Sequence, residues 1–360
     1  MTNRSHLFRM FLVLALGTLP NLSWAESLCT GYAISKTMDL SPDLEEISGF
    51  ALSRTNPKYL WAHTDSGGES ALYVLDLAGQ LKATLKLYGG QNVDWEDIAV
   101  GPCEAGSDAS CIYIGDMGDN LFSRHDKKIY VVKEPMLPDT WTAETTVDPL
   151  IVWKTIPVHY PSSTLEAKFA NPDCESLMVS PQGEIYVVSK QSNGGDQTLY
   201  HVRRDDEHLG DMEPLSSYAF TSQLGSFVTM YNAVTAADFA SDGSRFLVRT
   251  YAHVYEYDLE QYPDIAEAFQ HPHAILGNDG EIQGEAVAYL ANDRSIATAS
   301  EKRLTDHARM HIHTCITSPI EAAKKSMGTP YKPSSGLHFI KNVFAIRTAT
   351  EPTEPTEPTK

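Results

Sequence analysis

Short apolar runs alternate with polar turns along most of this chain, and one arrangement of them recurs. An acidic or polar residue precedes an apolar run, a turn follows, and a second apolar run ends on a polar or charged residue. The first copy is Asp43-Leu-Glu-Glu-Ile-Ser-Gly-Phe-Ala-Leu with Tyr59-Leu-Trp-Ala-His-Thr-Asp65. The second is Asn92-Val-Asp-Trp-Glu96-Asp-Ile-Ala-Val with Ile112-Tyr-Ile-Gly-Asp116, and the third Pro172-Asp-Cys-Glu175-Ser-Leu-Met-Val with Ile185-Tyr-Val-Val-Ser-Lys190. Ala233-Val-Thr235-Ala-Ala-Asp-Phe with Phe246-Leu-Val-Arg249, and Gln283-Gly-Glu285-Ala-Val-Ala-Tyr with Ser295-Ile-Ala-Thr-Ala-Ser-Glu301, complete the series.

Strand pairs returning at roughly 50-residue spacing mark a radial repeat, and a β-propeller is the usual way for such units to bury their faces. The pattern therefore predicts an all-β fold of four-stranded antiparallel blades. The length suits six blades, with five as the alternative. Ala71–Leu77 and Leu81–Leu87 around Gly79 read as a hairpin, Ser180–Gly183 and Ser241–Gly243 as turns within repeats, and Ile265–Phe269 as one helical turn. Met136–Glu166 obeys the repeat less clearly, as a degenerate blade or an insertion.

The two ends read differently. Arg4, Arg9, the apolar run Met10–Leu19 and Ser23-Trp24-Ala25 form a secretory leader, so 1–25 is expected to be removed and 26–347 to be a single propeller domain. Residues 348–360 carry three Glu-Pro-Thr copies and read as a disordered tail. Leu28 before Cys29 does not make a lipobox, and the expected location is periplasmic or secreted, without membrane insertion. The formal charge of −19 argues against nucleic acid as partner and is compatible with cations. Of five cysteines, Cys103 and Cys111 flank a short loop between strands, and Cys29 with Cys315 can lock the ring where first and last strands meet; Cys174 is left as a buried thiol.

Glu46-Ile-Ser-Gly-Phe-Ala, Leu60-Trp-Ala-His-Thr-Asp-Ser-Gly, Asp94-Trp-Glu-Asp-Ile-Ala, Gly115-Asp-Met-Gly-Asp-Asn120 and Gly284-Glu-Ala-Val-Ala-Tyr together resemble a family of exported bacterial β-propellers of unassigned activity, distantly like the phytase-like, or esterase-like, propellers. The resemblance covers about residues 40–305. It implies the propeller fold, and at the distance of the β-propeller phytases it implies bound calcium and hydrolysis of phosphate esters.

The repeat gives its own reason to look at the ring centre, because equivalent positions of successive blades converge there. Glu46, Glu96, Glu175, Thr235 and Glu285 share one such position; Asp65, Asp116, Lys190, Arg249 or Thr250, and Glu301 share another. Carboxylates gathered in a low-dielectric channel need a cation, a proton or a basic group between them, and calcium takes six to eight oxygen ligands. Asp65, Asp94, Glu96, Asp116, Asp119 and Asn120 are the candidate metal ligands. The alternative is that they cap turns and bind backbone amides of neighbouring blades.

Asp94 and Glu96 with Lys190 and Arg249 are the candidate catalytic set, and His63, Arg124, Glu175 and Glu285 the candidate substrate contacts. His311-Ile-His313 and His271-Pro-His273 have a spacing that can ligate zinc on a strand, against a commoner surface role. Signatures of serine hydrolases, zincins, P-loop enzymes and Cys-x-x-Cys oxidoreductases are absent from the sequence. Three functions follow: a calcium-dependent hydrolase of a small anionic ester, a monomeric module binding a glycan or protein with structural calcium, or a glycosidase.

Overall fold

The computed structural model describes residues 29, 31–161, 173–191, 195–220, 231–277, 281, 283–302 and 307–316. The expected leader and the Glu-Pro-Thr tail lie outside the described residues. In chain order the strands are β1 (Tyr32–Asp39), β2 (Ile47–Leu52), β3 (Tyr59–Thr64), β4 (Ala71–Asp76), β5 (Leu81–Tyr88), β6 (Trp95–Pro102) and β7 (Ser110–Asp116). They continue with β8 (Lys128–Lys133), β9 (Leu150–Pro157), β10 (Asp173–Val179), β11 (Ile185–Lys190), β12 (Gln197–Val202), β13 (Met212–Tyr218) and β14 (Val234–Phe239). The last are β15 (Arg245–Thr250), β16 (Val254–Asp258), β17 (His273–Leu276), β18 (Gly284–Tyr289), β19 (Ser295–Ser300) and β20 (Arg309–Cys315). One helical turn, Ile265–Ala268, is capped by the Asp264 carboxylate, which accepts the Glu267 amide.

These strands form five four-stranded antiparallel units among the described residues: β2–β5, β6–β9, β10–β13, β14–β17, and β18–β20 completed by β1. The first two units join edge to edge through a short parallel pairing of β5 with β9, Leu87 opposite Leu150 and Tyr88 opposite Ile151. The preferred count of six units is therefore corrected to five. Within Met136–Glu166 the described chain supplies β9, the fourth strand of the second unit, and no sheet of its own.

Why each segment takes its place follows from its pattern. First and second strands are buried on both faces and read as nearly unbroken apolar runs, as in β18 and β19, whose residues are all buried. Fourth strands alternate, as in β5, and turn a polar face outward. Gly183 and Gly243 close turns with φ of 90° and 75°, a region costly for residues with a Cβ.

The first strands pack on one another in a closed cycle, β2 on β6, β6 on β10, β10 on β14, β14 on β18 and β18 on β2. Each of five apolar clusters fills the space between two neighbouring units. Leu60, Phe50 and Ile47 face Ala286, Ala297 and Met310 in one; Phe246, stacked on Tyr257 at 4.3 Å, anchors another. Each fully buried side chain of this size contributes about 2 kcal/mol. The cycle is tied where it begins and ends, because β1 pairs with β20 and Cys29 is bonded to Cys315, 286 residues away. In the chain-entropy account a loop of that length is worth about 5.7 kcal/mol, against about 2.5 kcal/mol for a bridge as short as Cys103–Cys111. Both expected pairings are present, and burial raises the Cys174 thiol to about 12, keeping it a protonated core group. The two bridges fit an oxidising, extracytoplasmic compartment, and no described helix is long and apolar enough to cross a membrane.

Buried carboxylates tie the units together through backbone amides. Asp97 on β6 accepts from Leu177 of β10 at 2.8 Å and Ala237 of β14 at 3.1 Å, and Asp238 on β14 accepts from Tyr289 of β18 at 2.8 Å. Burial raises Asp238 to about 7; Asp293 adds to this, and the amides and Arg54 oppose it. A carboxyl whose folded pKa exceeds its unfolded one stabilises fully below the unfolded pKa of about 4, and that contribution is lost as pH rises through about 7. Thermal unfolding across buffers from pH 4.5 to 7.5 is expected to show the native protein losing about 5 °C more than D238N. Parallel curves for the two proteins would contradict this.

Candidate metal centre

Near the start of every first strand the pairing slips by one residue. The slips fall between Ile47 and Gly49, Trp95 and Asp97, Cys174 and Leu177, Val234 and Ala236, and Gly284 and Ala286. Such a bulge re-aims the extra residue out of the pleat. The bulge positions hold Ser48, Glu96, Glu175 with Ser176, Thr235 and Glu285. The hydroxyls serve the ring itself: Ser48 Oγ donates to the Glu96 carbonyl at 2.6 Å, and Thr235 Oγ1 to that of Gly284 at 2.7 Å. The three glutamates are 3–5% exposed. Glu46, assigned to this position from the repeat, lies ahead of β2 and is exposed; Ser48 takes its place.

Two carboxylate triads meet at Glu96. Asp65, just past β3, and Asp94, just before β6, join Glu96 with one oxygen each within 4.8 Å of the others, and Glu96, Asp173 and Glu175 do the same. Asp65 and Asp94 are half-buried, whereas Glu96, Asp173 and Glu175 are buried. Lys190, at the end of β11, pairs with Glu175 Oε1 and lies 3.9 Å from Asp173 Oδ2, with its ammonium 5.2 Å from the centre of the Tyr251 ring. The remaining Glu175 oxygen, Oε2, is buried without a hydrogen-bond partner.

Crowding shows in the proton affinities. Burial first, then Asp65 and Asp173, raise Glu96 well above the usual carboxylate range, with Lys190 opposing. Burial and the same two neighbours lift Asp94 to about 6, and burial raises Asp65. Glu285 reaches about 8 through burial, with Glu301 and Asp65 adding and Lys190 opposing. Oxygen donors alone, acidic and mutually repelling, fit a hard divalent cation.

The turn after β7 forms the wall of this centre and contributes no carboxylate to it. Asp116 pairs with Arg124 at 2.9 Å and accepts the Asp94 amide at 3.0 Å, while Asp119 pairs with Lys127 at 3.2 Å and accepts the amides of Ser123 and Arg124. Asn120 is exposed. Arg124 spends its guanidinium on Asp116, Asp126 and the Gly118 carbonyl. His63 is buried edge-on to Trp95, and burial lowers it to about 4, so it is a neutral core group. Arg249 runs to Glu281 and to the Ala286 carbonyl, in a separate buried group with Thr298 and His311. His311 and His313 sit there, 6.0 Å apart by ring centres, and His271 stacks on Tyr262 at the periphery.

Of the residues expected from the sequence, the structure brings together Asp65, Asp94, Glu96, Glu175 and Lys190, with Glu285 nearby. Asp173 is the ligand candidate that reading missed. Its signal was present: Asp94-Trp-Glu96 and Asp173-Cys-Glu175 are the same Asp-x-Glu step in successive repeats. Comparison with protein-family models and with curated proteins finds no match to this chain.

Gly118 leans directly on the carboxylates: a Cβ there would overlap Glu96 Oε1 and lie 2.6 Å from Asp94 Cγ. Were these carboxylates to hold a metal ion, G118A would keep the native circular dichroism spectrum and bind that ion at least about tenfold more weakly, as measured by titration calorimetry. Unchanged affinity would show that no ion is held beside Gly118.

Proposed function

We propose that this protein is an exported five-bladed β-propeller that binds a divalent hard cation, of which calcium fits best, within the axial carboxylate cluster centred on Glu96. The cluster joins the first three blades at one mouth of the channel, and that mouth serves as a binding surface for a ligand. The observation that carries this reading is the pair of carboxylate triads sharing Glu96, drawn from loops and bulges of three different blades. The closed cycle of first strands and the strand β1 that completes the last sheet support the propeller. The disulfides support export.

A second reading, metal-dependent hydrolysis of an anionic ester, is favoured by one feature. Asp65 and Asp94 are only half-buried, so a cation held by them keeps a side open to solvent. When bound, the ion would supply Lewis acidity at that mouth. Asp65 and Asp94 would be the residues holding it there. Arg249 belongs to neither reading, since it is engaged by Glu281.

Metal analysis of the purified protein, with melting curves in calcium and in chelator, tests the first reading. Calcium at a hundredfold excess over its dissociation constant is expected to raise the melting temperature by about 5 °C. Equal melting in both media would reject the cation. Turnover of a phosphoester panel that disappears in D94N would select the hydrolase over the binding module.

A further inference from the structure

The two triads are not equivalent. In the Glu96, Asp173, Glu175 triad a cation is already present, the ammonium of Lys190, which meets Glu175 and stands 3.9 Å from Asp173. Asp65 and Asp94 form no ion pair with any lysine, arginine or histidine among the described residues; the charge of Lys190 is felt at Asp65 and that of Arg124 at Asp94. An ammonium is a single charge with three donors, whereas a divalent oxygen-seeking ion carries twice the charge and takes more ligands. The fit is accordingly incomplete: Glu175 Oε2 remains buried with no partner.

Resting on the reading that the hub binds a divalent cation, we infer that the centre takes a single ion in the Asp65, Asp94, Glu96 triad, and that Lys190 is a tethered stand-in for a second ion in the Glu96, Asp173, Glu175 triad. The tether holds the ammonium at an effective concentration that free ions do not match. The stand-in also explains the exposures of the two triads. The ion comes from solution through the half-buried Asp65 and Asp94, while the charge deeper in arrives with the fold.

Titration calorimetry with calcium, and metal analysis after gel filtration, on the full chain stripped of metal separate the possibilities. The native protein is expected to take one ion and K190M two. E175Q should keep one ion with affinity within about threefold of native, and D65N should lose at least about tenfold. Two ions in the native protein, one ion bound more tightly by K190M, or loss of binding in E175Q would each overturn the assignment, the second by making Lys190 a competitor for the same place. Should K190M fail to fold, the contrast between E175Q and D65N decides on its own. No calcium bound by the native protein would defeat the hub reading itself, and this inference with it.

Discussion

A strand at the inner edge of a sheet, buried at the centre of a protein, has to find partners for its backbone groups somewhere other than in a neighbouring strand. β2, β6, β10, β14 and β18 each have a strand on one side only. Their other edges are served by side chains of adjoining units. Ser48 reaches the Glu96 carbonyl, Thr235 the Gly284 carbonyl, Asp97 the Leu177 and Ala237 amides, and Asp238 the Tyr289 amide. An unmet buried amide or carbonyl costs about 1–3 kcal/mol, so these contacts decide which unit sits beside which as firmly as the apolar clusters do. Polar residues at the hub are therefore obligatory in this fold, before any question of function.

That obligation explains both what is acidic at the centre and why part of it is in excess. Asp97 and Asp238 are spent on amides, and burial raises both. Asp65, Asp94, Glu96, Asp173 and Glu175 lie at one end, where Asp173 accepts the amides of Asp119 and Cys174 and Asp65 that of Ser66. The surplus negative charge sits where the bulges turn side chains out of the pleat. A bulge satisfies no extra backbone group; it aims a side chain.

Much of this was legible in the sequence, and what was not has identifiable causes. The repeat, the four-stranded units and both disulfide pairings follow from period and cysteine position. The unit count did not, because the described part of Met136–Glu166 contributes one fourth strand and because the first described strand belongs to the last unit. Within the site, counting along the repeat put Glu46 where Ser48 stands, since alternation alone does not reveal an inserted residue. Asp116, Asp119 and Asn120 drew attention by density of oxygen, but Arg124, Lys127 and Lys128 follow within the same loop and neutralise the two acids. Arg249 occupies a repeat-equivalent position and still points away. Gly284 opposite it lacks the Cβ that would collide with its guanidinium, which lets the side chain pass to Glu281.

Charge balance bears on which ligands the mouth can accept. Five carboxylates face one ammonium, and a divalent ion added to them leaves the centre negative even with one carboxyl protonated. At a few ångströms and an effective dielectric near 20, each residual charge repels an approaching anion by about 4 kcal/mol. A phosphate ester would have to bring its own counter-cation or displace a ligand carboxylate from the ion. A neutral or cationic ligand meets no such barrier. On the reading that the hub holds a divalent ion, the residual field thus weighs against an anionic substrate and in favour of a binding surface, with the half-buried Asp65 and Asp94 as its outermost charges.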